Sequence, residues 1–340
     1  MARTGTEIAP DRTTLRKLRV FDRLSDAVGW TPMVRLGPTV AEHPQTVYAK
    51  LEYMNPMGSS KDRLARFLVD EALENGRLAA GGTVIEASSG NTAMGLAMMA
   101  AQEGLHFRAV VRRQTSPEKL DCLRALGVEL ELVDGELPAE DEASYNRRAE
   151  SLVEEIDGAY FPDQHNNRLN NQAHYRSTGP EIWEQMEGRI DAVIAGIGTG
   201  GTLSGVARYL KEQDPAIRIV AVDIEGSVFT EFFETGQHGA PGPYLVEGLG
   251  DEEIIGCPEF ELFDDMVQSP NREALLGARE LARREAMFVG GSSGAALWGV
   301  RQILPTLPAG ARVVTIFPDS GSRYLSTIYS DEWMQTKGLL

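Results

Sequence analysis

The 340 residues of this chain are enough for two domains of ordinary size, and a hydrophobic content of 42% supports a buried core. The 33 basic and 50 acidic residues give a formal net charge of −17, which argues against nucleic acids and anionic membranes as partners. The two cysteines, Cys122 and Cys257, form neither a disulfide framework nor a metal-type spacing, so we expect a cytoplasmic protein without a metal site.

Strand-like and helix-like segments alternate along the chain. The predicted strands are residues 46–52, 83–87, 107–111, 129–133, 192–195, 217–223, 287–289 and 312–317. The predicted helices begin near Lys61, Thr92, Pro117 and Leu203, with another after residue 290 and a short one near the end. This alternation predicts mostly parallel sheets covered by helices on both faces. We expect no regular structure in residues 134–144 and 234–244, and no segment that is a signal peptide or spans a bilayer.

Lys61 stands in the first turn of its predicted helix, where the helix dipole and the free amide N–H groups disfavour a cation. A lysine whose ammonium form is disfavoured has a lowered pKa and an available amine, which suits Schiff-base chemistry. The alternative is a solvated lysine between Ser60 and the charged pair Asp62 and Arg63, and the position alone favours that alternative.

A glycine-rich loop, residues 196–202, follows a predicted strand and opens a helix, so its amide N–H groups can surround a phosphate. The same loop fits G-x-G-x-x-G at residues 196, 198 and 201. Asp223 lies where a dinucleotide fingerprint has its acidic residue. The motif alone leaves open a nicotinamide dinucleotide, a smaller phosphate and a purely structural turn.

Two further loops, residues 88–92 and 290–296, also join a predicted strand to a predicted helix. Serine and threonine donors at a helix N-terminus hold a carboxylate well, although each loop could equally be a plain helix cap. Three such loops and Lys61 could converge at the strand ends of an open α/β sheet, where ligands usually bind. A dehydrogenase would need one such loop and has no reason for a lysine at this place.

Together these motifs resemble the fold-type II pyridoxal-phosphate enzymes, specifically the cysteine synthase and cystathionine β-synthase family. The resemblance runs from about Leu24 to Phe317 and slightly beyond, and its segments are residues 31–36, 49–52, 58–63, 89–92, 198–202 and 318–327. It implies an α/β fold of two open, mostly parallel twisted sheets flanked by helices, similar to the tryptophan synthase β subunit. It also implies a smaller substrate-carboxylate domain, residues 56–162, and a larger cofactor domain, residues 20–55 plus 163–340.

The resemblance implies pyridoxal 5′-phosphate as the cofactor and Lys61 as the catalytic residue, which forms the internal imine and later acts as a base at Cα. Asn91 would bond the ring hydroxyl, and Ser292 would face the pyridine nitrogen. The residues implied to hold the cofactor phosphate are Gly198, Thr199, Gly200, Gly201 and Thr202. The residues implied to bind the substrate, mainly through its α-carboxylate, are Ser88, Ser89, Gly90, Asn91, Thr92 and Gln164.

The implied reaction is β-replacement on L-serine or an O-activated L-serine through an aminoacrylate intermediate, with a nucleophilic co-substrate and a homodimeric enzyme. A serine at the pyridine nitrogen makes a weaker electron sink than an aspartate, so loss of the β-substituent competes better. The product would be cysteine, cystathionine or a related β-substituted alanine. Four alternatives stay open: a diaminopropionate-precursor synthase with an amino nucleophile, a serine/threonine dehydratase, a non-catalytic relative that only binds, and a nicotinamide-dependent oxidoreductase.

The sequence departs from the family pattern most clearly at Asp251, Glu252 and Glu253, where relatives carry aromatic or apolar residues. The loop before them borders the path of the second substrate in those relatives. We hypothesise that these acids favour a nucleophile that carries an amine over bare sulfide, the alternative being a solvated acidic loop.

Overall fold

The computed structural model describes residues 20–134, 141 and 144–340. Its strands are β1 (Met33–Arg35), β2 (Thr46–Leu51), β3 (Thr83–Ala87), β4 (His106–Arg112), β5 (Glu129–Val133), β6 (Ala192–Gly196), β7 (Arg218–Ile224), β8 (Asp265–Ser269) and β9 (Arg312–Phe317). Its helices are α1 (Lys61–Glu74), α2 (Asn91–Glu103), α3 (Pro117–Ala125), α4 (Tyr145–Glu155), α5 (Leu169–Tyr175), α6 (Thr178–Gln185), α7 (Gly201–Gln213), α8 (Phe229–Thr235), α9 (Asn271–Glu280), α10 (Gly291–Ile303) and α11 (Asp331–Thr336).

Two sheets organise these strands. The larger has the order β1-β2-β9-β6-β7-β8, and only its first pair, β1 with β2, is antiparallel within the described chain. The smaller has the order β3-β4-β5 and is parallel throughout. The expected architecture of two mostly parallel sheets flanked by helices is therefore confirmed. In such sheets the carboxyl ends of the parallel strands collect at one edge, where they can build a common site.

The inner strands β6, β7 and β9 of the larger sheet are buried on both faces, which explains why most of their positions are apolar. Neighbouring residues of β6 show this, since Val193 packs into one hydrophobic cluster and Ile194 into another. Helices α9 and α10 cover the face of Ile194, and α6 and α7 cover the face of Val193. The smaller sheet is covered in the same way, with α1 and α2 on one face and α4 on the other.

Most predicted elements are present within a residue or two of their predicted bounds. The strand predicted at residues 287–289 is wrong, because only Val289 makes a bridge, an antiparallel one to Ser320. The expectation for residues 234–244 is confirmed from residue 236 onward, where helix α8 has ended. Most of residues 134–144 lie outside the described residues, and the domain bounds at residues 56–162 stay a prediction.

No helix in the described part of the chain combines the length and the apolar composition needed to cross a membrane.

Candidate active site

A cavity of about 300 Å³ lies at the carboxyl ends of strands from both sheets, beside Ala87, Arg112 and Pro318. A smaller hollow of about 40 Å³ adjoins it and shares Lys61 and Ser292 with it. The predicted site residues that line these two spaces are Lys61, Ser88, Ser89, Gly90, Asn91, Thr92, Gln164, Gly198, Thr199, Gly200, Thr202 and Ser292. Gly201 is buried at the start of α7 and is absent from both linings.

Lys61 is the first residue of α1 and reaches the wall of both spaces. Burial lowers the pKa of its amine more than the nearby charge of Asp319 raises it. Lys61 is half-buried on the wall of the cavity, which contradicts the reading of it as a solvated surface lysine, and no ion pair holds its amine within the described residues. The geometry leaves a partly desolvated amine facing a cavity, which is the environment that activates lysines for carbonyl chemistry.

A buried ion network holds the beginning of α1 in place. The guanidinium of Arg63 donates to both carboxylate oxygens of Glu52 at 2.6 and 2.9 Å, and to both of Glu181 at 2.6 and 2.7 Å. The ammonium of Lys50 donates to Glu181 at 2.7 Å, and the Thr31 hydroxyl donates to Glu52 at 2.6 Å. The charges of two cations and two anions thus balance in the interior. One of the cations, Arg63, lies two residues after Lys61 and so anchors the first turn of α1.

The glycine loop packs so tightly that side chains are excluded from it. A Cβ on Gly198 would overlap the backbone carbonyl of Gly248, and one on Gly201 would overlap the Asn170 side chain. Gly200 has a φ of +83°, and a Cβ there would lie 2.6 Å from Pro258. The first amide N–H groups of α7 have no partner inside their own helix, so this bare backbone forms a cradle that suits a phosphate.

A histidine that the sequence analysis missed supports the same cradle. His174 is buried, its Nε2 lies 3.0 Å from the hydroxyl of Thr202, and its Nδ1 lies 2.8 Å from that of Thr178. Burial lowers the pKa of His174 to about 3, so the ring is neutral at physiological pH. It therefore orients the Thr202 hydroxyl without adding a charge to the cradle.

The loop at residues 88–92 combines hydrogen bonds that fix the start of α2 with polar groups that line the cavity. The hydroxyl of Ser88 accepts from the backbone N–H groups of Gly90 and Ala93, both at 3.3 Å. The hydroxyl of Thr92 donates to the side-chain oxygen of Gln164 at 2.5 Å, which ties this loop to the segment after residue 160. Among the described residues the Gln164 amide nitrogen has no hydrogen-bond partner, and its position beside the loop suits a carboxylate.

Asn91 belongs to a polar cluster that the sequence analysis recognised only in part. Its amide donates to Asp319 at 2.8 Å, and the Tyr324 hydroxyl donates to the same Asp319 oxygen at 2.7 Å. Burial raises the pKa of Asp319 despite these hydrogen bonds. The side-chain oxygen Oδ1 of Asn91 and that of Asp319 are buried without a partner among the described residues. Such orphaned atoms fit a site completed by a polar ligand.

Charged groups that the motifs did not indicate surround the mouth of the cavity. Arg112 lies 5.0 Å from the centre of the Tyr145 ring, and Lys119 pairs with Glu247. Of the three acids singled out in the sequence, Asp251 lines the cavity. Glu252 and Glu253 are exposed and absent from the lining.

The acidic residue of the apparent dinucleotide fingerprint has a structural role. Asp223 is completely buried, and its carboxylate accepts from the backbone N–H and the hydroxyl of Thr230 at 2.9 and 2.8 Å. It caps the beginning of α8 and does not line the cavity. Asp223 is therefore not available to bind a ribose, and the interpretation of the glycine loop as a nicotinamide dinucleotide site loses the acidic residue that it requires.

Comparison with known proteins agrees with this geometry. The sequence profile of the family described as "Pyridoxal-phosphate dependent enzyme" matches residues 24–319. The chain is 39% identical over 311 residues to a cysteine synthase of Staphylococcus aureus strain Mu50, covering 91% of this chain and 97% of that protein. It is 38% identical over 324 residues to a cystathionine beta-synthase of Apis mellifera, covering 95% of this chain but only 64% of that longer protein.

A solved structure shows the same architecture. The crystal structure of an O-acetylserine dependent cystathionine beta-synthase from Helicobacter pylori matches with a TM-score of 0.83 and 36% sequence identity. The match covers 92% of this chain and 100% of the Helicobacter pylori chain.

Proposed function

Because this chain belongs to the family of pyridoxal-phosphate dependent enzymes, we propose that it catalyses β-replacement on L-serine or an O-activated L-serine. The observation that carries the proposal is the position of the Lys61 amine, partly desolvated, on the wall shared by the cavity and the hollow beside the glycine loop. When bound, the cofactor supplies an aldehyde for an amine and a sink for the electrons left when the Cα proton is removed.

The residues of the site fit this cofactor. The cradle of residues 198–202 excludes side chains and offers free backbone N–H groups to a phosphate. The orphaned oxygen of Asn91 can accept a hydrogen bond from a ring hydroxyl, and Ser292 in the first turn of α10 can face the ring nitrogen. Lys61 lines the same two spaces as these groups, so its amine would be the one to bind the cofactor aldehyde.

We assign the handling of the amino-acid substrate to residues 88–92 and Gln164. Their hydroxyl, amide and backbone donors bind its α-carboxylate and so hold the Cα–H bond towards the Lys61 amine. Lys61 takes the Cα proton before the β-substituent leaves and returns a proton to Cα after the nucleophile has added. Closure of residues 88–92 over the carboxylate keeps water from adding in place of the nucleophile.

Which β-substituted alanine the enzyme makes depends on the nucleophile that it uses. The relatives are named cysteine synthase and cystathionine beta-synthase, and their names leave sulfide and thiol nucleophiles open for this chain. Asp251 on the cavity wall supports the further hypothesis that a nucleophile with an amine is favoured. The lining also contains Arg112 and Arg323, which would accommodate the carboxylate of an amino-acid co-substrate.

Product identification by mass spectrometry tests the proposal. Serine, O-acetylserine and O-phosphoserine are each incubated with the loaded enzyme and with sulfide, homocysteine or an amino-acid amine. We expect a β-substituted alanine that depends on the nucleophile. Pyruvate as the sole product, with or without nucleophile, would instead identify a dehydratase, and the absence of any product from all three substrates would overturn the proposal.

A rate with sulfide that exceeds the rate with an amino-acid amine by orders of magnitude would contradict the hypothesis that the enzyme favours an amine nucleophile. We also propose a cytoplasmic homodimer, which light scattering after size-exclusion chromatography and cell fractionation can test.

A further inference from the structure

A histidine with a free imidazole lines the cavity next to Gln164. The backbone carbonyl of His165 accepts from the N–H of Cys257 at 3.0 Å, which fixes the position of the main chain there. Its side chain lines the same cavity as Lys61 and Asp251. Within the described parts of the chain, no hydrogen bond or ion pair engages this imidazole, so both of its ring nitrogens remain for a bound molecule.

The surroundings of His165 suit a proton acceptor. Burial lowers the pKa of the imidazole, while the carboxylates of Asp251 and Asp163 raise it and the charge of Lys61 lowers it further; the net direction is downward. The neutral form of the ring, which can accept a proton, is therefore favoured. One oxygen of Asp251 accepts from the N–H groups of Glu252 and Glu253 at 2.8 and 3.2 Å, which holds that carboxylate in place to stabilise a positive ring.

The proposed reaction has a proton that Lys61 does not handle. Lys61 takes the proton from Cα and gives one back to the same carbon, so it ends each cycle as it began. A thiol or amine nucleophile must also lose its own proton when it bonds to Cβ. Hydrosulfide, by contrast, is already an anion at neutral pH and needs no base. A base at the cavity wall is therefore required only if the co-substrate is a thiol or an amine.

We propose that His165 is this base, with the nearby charge of Asp251 stabilising its protonated form; the inference rests on the proposed function. The lone pair of the nucleophile forms the bond to Cβ, and its proton passes to a ring nitrogen of His165. The electrons of the Cα–Cβ double bond move to Cα, where Lys61 supplies the proton. His165 then releases its proton to solvent, which balances the negative charge of the group that left earlier. The co-substrate class is thus a thiol or an amine rather than sulfide.

The test compares His165→Asn with the control His106→Asn, since His106 is exposed at the opposite end of β4 from the cavity. Stopped-flow absorbance follows loss of the β-substituent without nucleophile, and then the decay of that species after sulfide, homocysteine or glycine is added. We expect His165→Asn to slow the steps with homocysteine and glycine about 100-fold, the usual contribution of a general base. The first step and the sulfide reaction should stay within about threefold of the parent.

A second readout does not depend on turnover. Histidine side chains are labelled with ¹⁵N, and the His165 signals are identified by their loss in His165→Asn. Homocysteine added to the loaded enzyme should shift the His165 signals and leave those of His106 unchanged. Asp251→Asn should lower the His165 pKa measured by the same spectra, because it removes a neighbouring negative charge.

The outcomes separate the two proposals. Equal slowing with sulfide and homocysteine, or no slowing with either, would overturn the role of His165 while β-replacement by the parent enzyme stands. Unchanged His165 signals on addition of homocysteine would also overturn it. A parent enzyme that shows no substrate-dependent absorbance change would instead sink the proposed function, and the role of His165 with it.

Discussion

Glu52→Gln tests whether the buried ion network stabilises the fold that presents Lys61. Burial alone would raise the pKa of Glu52, but Arg63, Lys50 and Thr31 together lower it from 4.5 to about 2. That difference corresponds to about 3 kcal/mol, at about 1.36 kcal/mol for each pH unit. Removal of one partner from a buried ion pair typically costs about 3–5 kcal/mol, so two independent arguments give the same size.

The same numbers fix the pH dependence. The folded-state pKa of Glu52 is depressed, so its contribution is complete above the unfolded-state value of 4.5 and is lost as the pH falls towards about 2. Between pH 7 and pH 3 the parent should lose about 2 kcal/mol of stability that Glu52→Gln does not lose.

Urea unfolding of the parent and of Glu52→Gln at pH 7 and pH 3 measures both effects. Glu150→Gln is the matched control, because it removes an exposed ion pair with Arg147 and should change stability by less than about 0.5 kcal/mol. A free energy of unfolding of Glu52→Gln within about 0.5 kcal/mol of that of the parent at pH 7 would contradict a stabilising role for the network. An equal loss of stability in both proteins on acidification would contradict it too.

Three further predictions concern the site. Lys61→Ala should abolish turnover and the substrate-dependent absorbance change while the circular dichroism spectrum is retained; full activity in this variant would contradict the mechanism. Gly198→Ala should weaken cofactor binding at least about tenfold in a fluorescence titration, because its Cβ overlaps the Gly248 carbonyl and backbone must move; unchanged affinity would refute the cradle. Thr92→Val should raise the KM for the amino-acid substrate about tenfold, because Gln164 loses a buried hydrogen bond, with kcat changed less; an effect on kcat alone would contradict a binding role.

The parts of the site that consist of short local motifs could be predicted from the sequence. The glycines at residues 198–201 and the lysine at a helix start are short-range signals, since backbone geometry and helix termini dictate those residue types. The strands buried on both faces were also predictable, because they read as continuous apolar runs with turn residues at their ends. Several elements were missed, among them β8, a short strand with Asp265 and Gln268 in it. Helix α4 was also missed, because few apolar residues, such as Ala149 and Leu152, stand among its charged ones.

The convergence of the site loops was predicted, but individual side-chain contacts between distant parts of the chain could not be. Arg63 and Glu181 are 118 positions apart, and no local sequence pattern around either residue predicts that they form an ion pair. Asp319 was visible as part of a motif, but its link to Asn91 spans 228 positions and appears only in the folded chain. The strand expected at residues 287–289 failed for a related reason, since a short apolar run fits a buried extended segment as well as a strand.

The proposed chemistry depends on the Lys61 amine as the group that binds the cofactor aldehyde. The direct measurement is borohydride reduction of the enzyme loaded with pyridoxal 5′-phosphate, followed by proteolysis and tandem mass spectrometry. We expect one modified peptide, with the reduced cofactor on Lys61. Modification spread over surface lysines while Lys61 stays unmodified would contradict it.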